Sequence, residues 1–146
     1  MRVLGIDYGD RHVGLALSDA LRVTAQPFGT YRMTGRDQDD RRFFRELVTG
    51  RDIAEIVIGN PLRMDGSAGS RAEKTKQFAA WLEKAVGRPV VLIDERLTTR
   101  QALGLLQDQR LRGREKKERE DQIAAVIILA TYLERRRGEE RGDQDP

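Results

Sequence analysis

The chain opens with stretches of apolar residues whose pattern predicts β-strands. Residues Arg2–Gly9 form a near-continuous apolar run that stops at Asp7, as expected of a buried central strand. After a short glycine-containing turn, residues His12–Asp19 alternate between the two faces of a second strand. A third strand is predicted at Gly29–Met33, after Pro27. Because short turns join these strands, the chain is predicted to begin with an antiparallel meander.

Beyond these strands, the spacing of apolar residues changes to the period of helices, with buried strands between them. Gly50 is suited to cap the end of the first helix, and the segments 70–73 and 98–101 have the composition of capping boxes at helix starts. The predicted elements are a helix at Asp37–Gly50, a strand at Ile53–Gly59, a helix from Ser70 to Val86, a strand at Pro89–Ile93, a helix that follows Thr98 and a last helix at Glu115–Arg137.

This order of elements predicts the α/β class, with a mixed central β-sheet and helices on both of its faces. With 146 residues, the chain has the length of one domain that can bury a core of its own. We therefore expect a single domain over residues 1–137. The charged, glycine-bearing segment 138–146 is expected to be a disordered tail.

Composition narrows the classes of function. The chain contains no cysteine, which excludes disulfides and thiolate metal sites, and one histidine, which disfavours zinc hydrolase chemistry. No apolar run approaches the length of a membrane span, and the N-terminus lacks the features of a signal peptide, so a cytoplasmic location without membrane contact is expected. The formal net charge is only +3, but six basic residues crowd the segment 110–119, as in patches that contact phosphates.

Three acidic residues stand in apolar surroundings, where a carboxylate is costly unless it is paired or binds a metal. Asp7 ends the first strand, Glu95 follows the strand that ends at Ile93, and Asp121 faces small residues of the last helix. Each has a plainer alternative: a turn residue for Asp7, a salt bridge to Arg96 for the acids at 94 and 95, and a helix-start acid for Asp121.

Together, these carboxylates would suit hard cations such as Mg²⁺ or Mn²⁺, most simply as two ions. Two such ions about 3.5–4 Å apart can activate a water and stabilise the leaving oxygen of a phosphodiester. A Ser-His-Asp triad is disfavoured because it would have to use His12, which lies in a turn without an orienting partner. The chain also lacks the glycine-lysine loop of a nucleotide-binding P-loop.

Five sequence blocks follow one another along the chain: Gly5-Ile-Asp-Tyr-Gly9, Gly14-Leu-Ala-Leu-Ser-Asp19, Gly59-Asn-Pro-Leu-Arg-Met-Asp-Gly-Ser67, Asp94-Glu-Arg-Leu-Thr-Thr99 and Asp121-Gln-Ile-Ala-Ala125. In this order they resemble the YqgF/RuvX family of Holliday-junction resolvases, also described as nucleases that process the 5′ end of pre-16S ribosomal RNA. The similarity runs from about Arg2 to Leu133, and the blocks are specific in combination although each alone is weak.

The resemblance implies a ribonuclease H-like fold and assigns metal binding and catalysis to Asp7, Glu95 and Asp121. It also implies that Thr98 and the loop Asn60–Ser67 border the site. The sequence departs from the family at Arg11-His12, where Lys-Arg is common, and at Glu120, where an apolar residue is usual. The residues expected to bind substrate are Arg11, Asn60, Ser67, Arg96, Thr98, Arg114, Lys116 and Lys117.

The leading interpretation is a metal-dependent nuclease that acts on nucleic acid, most simply on pre-16S ribosomal RNA. The alternatives are a Holliday-junction resolvase that acts on branched DNA and a non-catalytic RNA-binding factor of ribosome assembly. A sugar-kinase-like ATPase is disfavoured because such enzymes need two domains of this kind. The sequence leaves open whether the protein is a monomer or a homodimer, although a four-way junction would favour a symmetric dimer.

Overall fold

A computed structural model gives the fold and describes residues 1–61, 69–94 and 113–144, with side chains described for 1–61, 69–94 and 118–140. Five strands and three helices are described in this part of the chain. Their bounds are β1 Arg2–Tyr8, β2 His12–Ser18, β3 Ala25–Arg32, α1 Asp37–Gly50, β4 Ile53–Asn60, α2 Ser70–Val86, β5 Val90–Asp94 and α3 Gly113–Gln144.

The strands form one mixed sheet in the order β3-β2-β1-β4-β5. Strands β1, β2 and β3 pair antiparallel, as the predicted meander requires, and β4 and β5 continue the sheet parallel to β1. The carboxyl ends of β1, β4 and β5 therefore meet at one edge, where ligands commonly bind in α/β proteins. Helices α1 and α2 cover one face and α3 covers the other, which confirms the predicted class and layering.

The face under α1 and α2 is packed with large side chains. Leu4, Ile6 and Ile58 are fully buried on the sheet, and Phe44 and Phe78 of the helices pack against this side of it. Burial of each such side chain contributes roughly 1.5–3 kcal/mol. This face holds the larger of the two apolar clusters described.

The face under α3 is built from smaller residues, so that the helix lies close to the strands. A Cβ atom at Gly5 would come within 2.7 Å of the Leu129 Cβ atom and 3.0 Å of the Ala125 carbonyl oxygen. Ala16 and Ala125 are fully buried beside this contact. The absence of side-chain bulk on β1 and β2 thus determines how near α3 comes to the sheet.

Strand β3 begins four residues earlier than predicted, at Ala25, and contains Pro27. A proline removes one backbone donor, which is tolerated because β3 is an edge strand. The register shifts between Leu15 and Ala16, whose partners are Gly29 and Pro27, so Phe28 forms a bulge next to the proline. The sequence pattern alone did not show that this segment lies at an edge.

The predicted caps of the first two helices were wrong. Gly50 is the last helical residue of α1, and the left-handed backbone that follows is provided by Asp52, with φ 53°. Ser70 is the first helical residue of α2, the N-cap is Gly69, and no side chain caps the helix. By contrast, Gly87 ends α2 in the left-handed conformation, with φ 67°, and its N–H donates to the Glu83 carbonyl.

The last helix continues past Arg137 and through Gly138 to Gln144, where a tail was expected to begin. The helix begins at Gly113, so the backbone of residues 113–119, within the basic segment 110–119, is helical. The predicted capping box at 98–101 lies outside the described residues. None of the helices in the described ranges combines the length and the hydropathy that a membrane span requires.

Candidate active site

Asp7 lies near the carboxyl end of β1, on the face that α3 covers. Alternation along the strand places it on the side of Val3 and Gly5, which pack against α3. Its partner across the antiparallel ladder is Gly14 of β2. Because glycine has no side chain, the surface beside Asp7 stays open, and its half-buried carboxylate faces α3 rather than the aromatic core.

Asp121 is brought to this place by the close packing of α3. A Cβ atom at Gly14 would collide with the Asp121 carbonyl oxygen, and it would lie 3.0 Å from the Asp121 Cβ atom. Since Gly14 is also the ladder partner of Asp7, the two aspartates flank the same glycine. Asp121 is 9% exposed, and the prediction that it faces the sheet through the small side of the helix is confirmed.

The first turns of α3 are fixed to the sheet by Thr30 of β3, the other ladder neighbour of Gly14. The Gln122 Nε2 atom donates to the Thr30 hydroxyl at 3.3 Å, and that hydroxyl donates to the Glu118 carbonyl at 3.5 Å. These bonds lie on either side of Asp121 in sequence. They limit sliding and rotation of the helix segment that carries the carboxylate.

The two aspartates open onto a cleft of about 450 Å³ at the carboxyl edge of the sheet. Its walls are the end of β1, the β1–β2 turn, the first turn of α2 and the buried part of α3. The lining residues are Asp7, Tyr8, Gly9, Asp10, Arg11, His12, Arg71 and Asp121. Three carboxylates, two guanidinium groups and an imidazole therefore share one open cleft, a composition suited to cations and phosphates together.

The β1–β2 turn that forms one wall is tight. The Gly9 N–H donates to the His12 carbonyl at 3.0 Å, and a Cβ atom at Gly9 would lie 2.8 Å from that oxygen. The Arg11 carbonyl accepts from the Met33 N–H at 2.8 Å. The backbone of Arg11 is thus held while its exposed side chain reaches into the cleft, where it was expected to meet a phosphate.

Asn60 lies at the end of β4, in register with Asp94 of β5. Its Oδ1 atom is buried and accepts no hydrogen bond within the described part of the chain. An amide oxygen of this kind at the carboxyl edge of the sheet is suited to meet a ligand or a neighbouring loop. Asn60 does not line the cleft that holds the aspartates.

The other predicted site residues cannot be placed. Glu95, Ser67, Arg96 and Thr98 lie outside the described residues. Arg114, Lys116 and Lys117 lie in the first turns of α3, where only the backbone is described. The prediction that they bind substrate therefore stays a prediction.

Arg71 is a cleft residue that the sequence did not single out. It was assigned to the interior of a capping box, whereas it is the second residue of α2 and projects toward the β1–β2 turn. The available signal was its place in the first turn of the helix that follows β4 in the chain. His12, at which the sequence departs from the family pattern, also lines the cleft.

Tyr8 connects the cleft to the aromatic core. Its ring stacks on Phe78 of α2, with 4.1 Å between the ring centroids and an interplanar angle of 5°. Burial raises the pKa of the Tyr8 hydroxyl, and the nearby negative charge of Asp10 raises it further. Tyr8 therefore stays neutral and anchors the turn that carries Asp10 and Arg11.

The donor set fits a hard divalent cation. Asp7, Asp10 and Asp121 offer carboxylate oxygens, and Mg²⁺ is commonly held by one or two carboxylates together with waters and substrate phosphates. Within residues 1–61, 69–94 and 118–140, no three histidine or acidic side chains form a ready metal cluster. The third predicted ligand, Glu95, is outside these ranges.

The chain matches the family model described as "RuvX: Holliday junction resolvase" over residues 1–135. A relative from Lachnospira eligens is 43% identical over 136 residues, which cover 92% of this chain and 97% of the relative. A relative from Koribacter versatilis is 40% identical over 135 residues, which cover 92% and 88%. Both are named "Putative pre-16S rRNA nuclease".

Among solved structures, Thermus thermophilus RuvC in complex with a Holliday junction superposes with a TM-score of 0.59 at 18% identity, over 94% of this chain and 96% of RuvC. A second structure of the same RuvC gives a TM-score of 0.55 at 15% identity, over 94% and 97%. At this identity the likeness shows the fold, which is ribonuclease H-like, as predicted. The family match, which spans nearly the whole sequence, shows that the chain belongs to the RuvX family.

Proposed function

We propose that the protein is a metal-dependent endonuclease that hydrolyses phosphodiester bonds at the 5′ end of pre-16S ribosomal RNA. The observation that carries the proposal is the placement of Asp7 and Asp121 on either side of Gly14, in one open cleft that also contains Arg11 and Arg71. Relatives that are 40–43% identical over more than nine-tenths of this chain bear the name of such a nuclease.

In this proposal, Asp7, Asp121 and Glu95 hold divalent ions, Mg²⁺ or Mn²⁺. When bound, two such ions supply an activated water and stabilise the leaving oxygen. Glu95 is included because Val91 and Ile93 of β5 pack on the α3 face, and alternation continued by two residues predicts that face for position 95. Asp7 and Asp121 lie on the same face.

The protein side chains have three tasks around the scissile phosphate. The carboxylates bind the cations, the close contact of α3 with Gly14 keeps Asp121 at a fixed position relative to Asp7, and the Arg11 guanidinium group neutralises the phosphate oxygens. A guanidinium group suits this task because it stays charged and can donate two parallel hydrogen bonds to one phosphate. The cytoplasmic location expected from the sequence stays a prediction.

The test is cleavage of labelled pre-16S ribosomal RNA by purified protein with Mn²⁺, Mg²⁺ or chelator. We expect cutting only with metal, and we expect Asp7→Asn to lower the rate roughly 100- to 1,000-fold, because a metal contributes several kcal/mol to the transition state. Glu95→Gln should have a similar effect. Glu83→Gln, an exposed carboxylate near the end of α2, is the matched control and should cut as the unmodified protein does.

A four-way DNA junction is the second substrate to include, because the matching family model carries the name of a junction resolvase. Faster cutting of the junction than of the RNA would replace the RNA assignment. Metal-dependent cutting that survived Asp7→Asn would instead point to a contaminating nuclease. Tight RNA binding without cutting in any metal would favour the non-catalytic assembly factor.

A further inference from the structure

A shallow depression continues the cleft away from the aspartates and along α2. It is lined by Tyr8, Gly9 and Asp10 of the β1–β2 turn and by Arg71, Lys74 and Thr75 of α2. The turn residues and Arg71 line both spaces, whereas Asp7 and Asp121 line only the cleft. Arg71 therefore stands at the boundary between the carboxylates and this second space.

The cations on this part of α2 are held in no described salt bridge, although Asp10 lines the same depression. Within the described residues, the exposed side chains of Arg71 and Lys74 form no ion pair. Glu73, which lies between them in sequence, pairs with Lys76 at 3.8 Å. Since Arg71 and Lys74 are three residues apart on a helix, they lie on the same side, next to the turn.

The backbone that carries these cations is fixed. The Thr75 hydroxyl is buried and donates to the Arg71 carbonyl at 2.9 Å, and Ala72 is fully buried. The facing turn is anchored through Tyr8, whose ring stacks on Phe78 of the same helix. The two sides of the depression therefore keep their separation, as a binding site for an extended chain requires.

We propose that Arg71, with Lys74 beside it, binds the phosphate next to the scissile one and so directs the substrate strand over the first turns of α2. The inference rests on the proposed function for the position of the scissile phosphate at Asp7 and Asp121. A strand that leaves those carboxylates along the depression must pass Arg71 first and Lys74 second. Arg71 is thus a positioning residue for the substrate backbone.

The test measures binding of a labelled RNA from the 5′ end of pre-16S ribosomal RNA, in chelator, so that no cutting occurs. A neutral methylphosphonate replaces one phosphate at a time along the strand. We expect the full-length protein to lose about tenfold in affinity at one or two adjacent positions, because a charge-assisted hydrogen bond is lost there. Arg71→Gln should bind the unmodified RNA more weakly, and a methylphosphonate at those positions should not weaken its binding further. Arg71→Lys should keep part of the sensitivity to the methylphosphonate.

Lys84→Gln is the matched control, because Lys84 is an exposed cation in the last turn of the same helix. It should leave the pattern of sensitive positions unchanged. If Arg71→Gln weakens binding but keeps every sensitive position, the residue acts only as diffuse charge and the proposal is wrong. Because binding is read without cleavage, this result is separate from a failure of the nuclease assignment.

With Mn²⁺ present, cutting by Arg71→Gln gives a second readout. We expect KM to rise about tenfold with a smaller change in kcat, since the residue contacts a phosphate that does not react. A plot of log affinity against log salt concentration should also become less steep, by the amount that one phosphate contact contributes. An unchanged KM with a lower kcat would place Arg71 at the scissile phosphate and overturn the proposed path.

Discussion

The two faces of the sheet are packed in different ways. Under α1 and α2, the contacts are between large rings: Phe44 lies against Phe78 and Trp81, with centroid distances of 6.0 and 6.1 Å. Under α3, the helix also comes into direct contact with the strand backbone, at Gly5 and Gly14. Large buried side chains stabilise the first face. On the second face, the lack of side chains at the two glycines lets α3 approach the strands closely.

The difference explains where the candidate site lies. On the aromatic face, ring-sized side chains separate the helices from the sheet. On the α3 face, the missing side chain at Gly14 lets Asp121 approach Asp7. Stability and chemistry should therefore respond differently to substitutions on the two faces.

The largest effect on stability is expected from Phe44→Ala. Phe44 is fully buried among aromatic rings, and truncation of such a residue costs about 3–5 kcal/mol, since a cavity remains. Urea denaturation should show this loss. Metal-dependent cleavage by the molecules that remain folded should be near normal, because the face under α3 is untouched. If Phe44→Ala stayed fully folded and yet lost cleavage activity, the proposed difference between the two faces would be wrong.

A smaller loss of stability and a larger loss of activity are expected from Gly14→Ala. The added methyl collides with the Asp121 carbonyl, so α3 must shift, at a cost of about 1–3 kcal/mol. Displacement of one carboxylate by about 1 Å should lower the cleavage rate by about 100-fold.

Gly29→Ala is the control for this substitution, because a Cβ atom there would meet no other atom within 4 Å. Gly29→Ala should leave both the stability and the cleavage rate nearly unchanged. A difference between the two alanine variants would then be due to the contact of α3 with Gly14. Equal activity in the two variants would show that the approach of α3 over Gly14 does not position the carboxylate.

The smallest effect concerns a polar cluster at the β3–α1 junction, and it depends on pH. The Asp40 Oδ1 atom accepts from the Tyr31 hydroxyl at 2.7 Å, from the Thr34 hydroxyl at 2.9 Å and from the Thr34 N–H at 3.0 Å. Burial alone would raise the pKa of Asp40, but these hydrogen bonds outweigh burial and lower it. Burial and Asp40 raise the pKa of Tyr31 to about 12.

Because the pKa of Asp40 is lower in the folded chain, its stabilising effect is present above the unfolded value of about 3.9 and is lost as pH falls through the folded value. We expect Asp40→Asn to cost about 1–2 kcal/mol at pH 7, since charged hydrogen bonds become neutral ones. The difference from the unmodified protein should shrink below about pH 4. Denaturation curves at several pH values would show it, and a constant difference would contradict the assignment.

Most of the fold could be predicted from periodicity. The bounds of α1 agree with the prediction at both ends, and β4 differs by one residue. The errors arose where tertiary position overrides local preference: Pro27 is accepted because β3 is an edge strand, and Gly138 lies inside a helix. The cap at Ser70 failed because Gly69 occupies the N-cap position.

The site was predicted in part. Asp7 and Asp121 could be identified from a carboxylate at the end of an apolar strand and another on the small side of a helix. Arg71 was not predicted, because its place in the first turn of α2 does not by itself show that it faces the cleft. Its proximity to the β1–β2 turn depends on how α2 packs against Tyr8.

The sequence by itself determined the order of elements, the faces of the strands and the residues able to bind a cation, because these follow from side-chain period and chemistry within short segments. Only the tertiary structure decided that Gly14 separates Asp7 from Asp121, and that Arg71 enters the same cleft. These relations bring together Asp7, Arg71 and Asp121, which are 50 or more positions apart in the chain. They depend on how closely helices and sheet can approach, which is set by packing across the whole domain rather than by any local pattern.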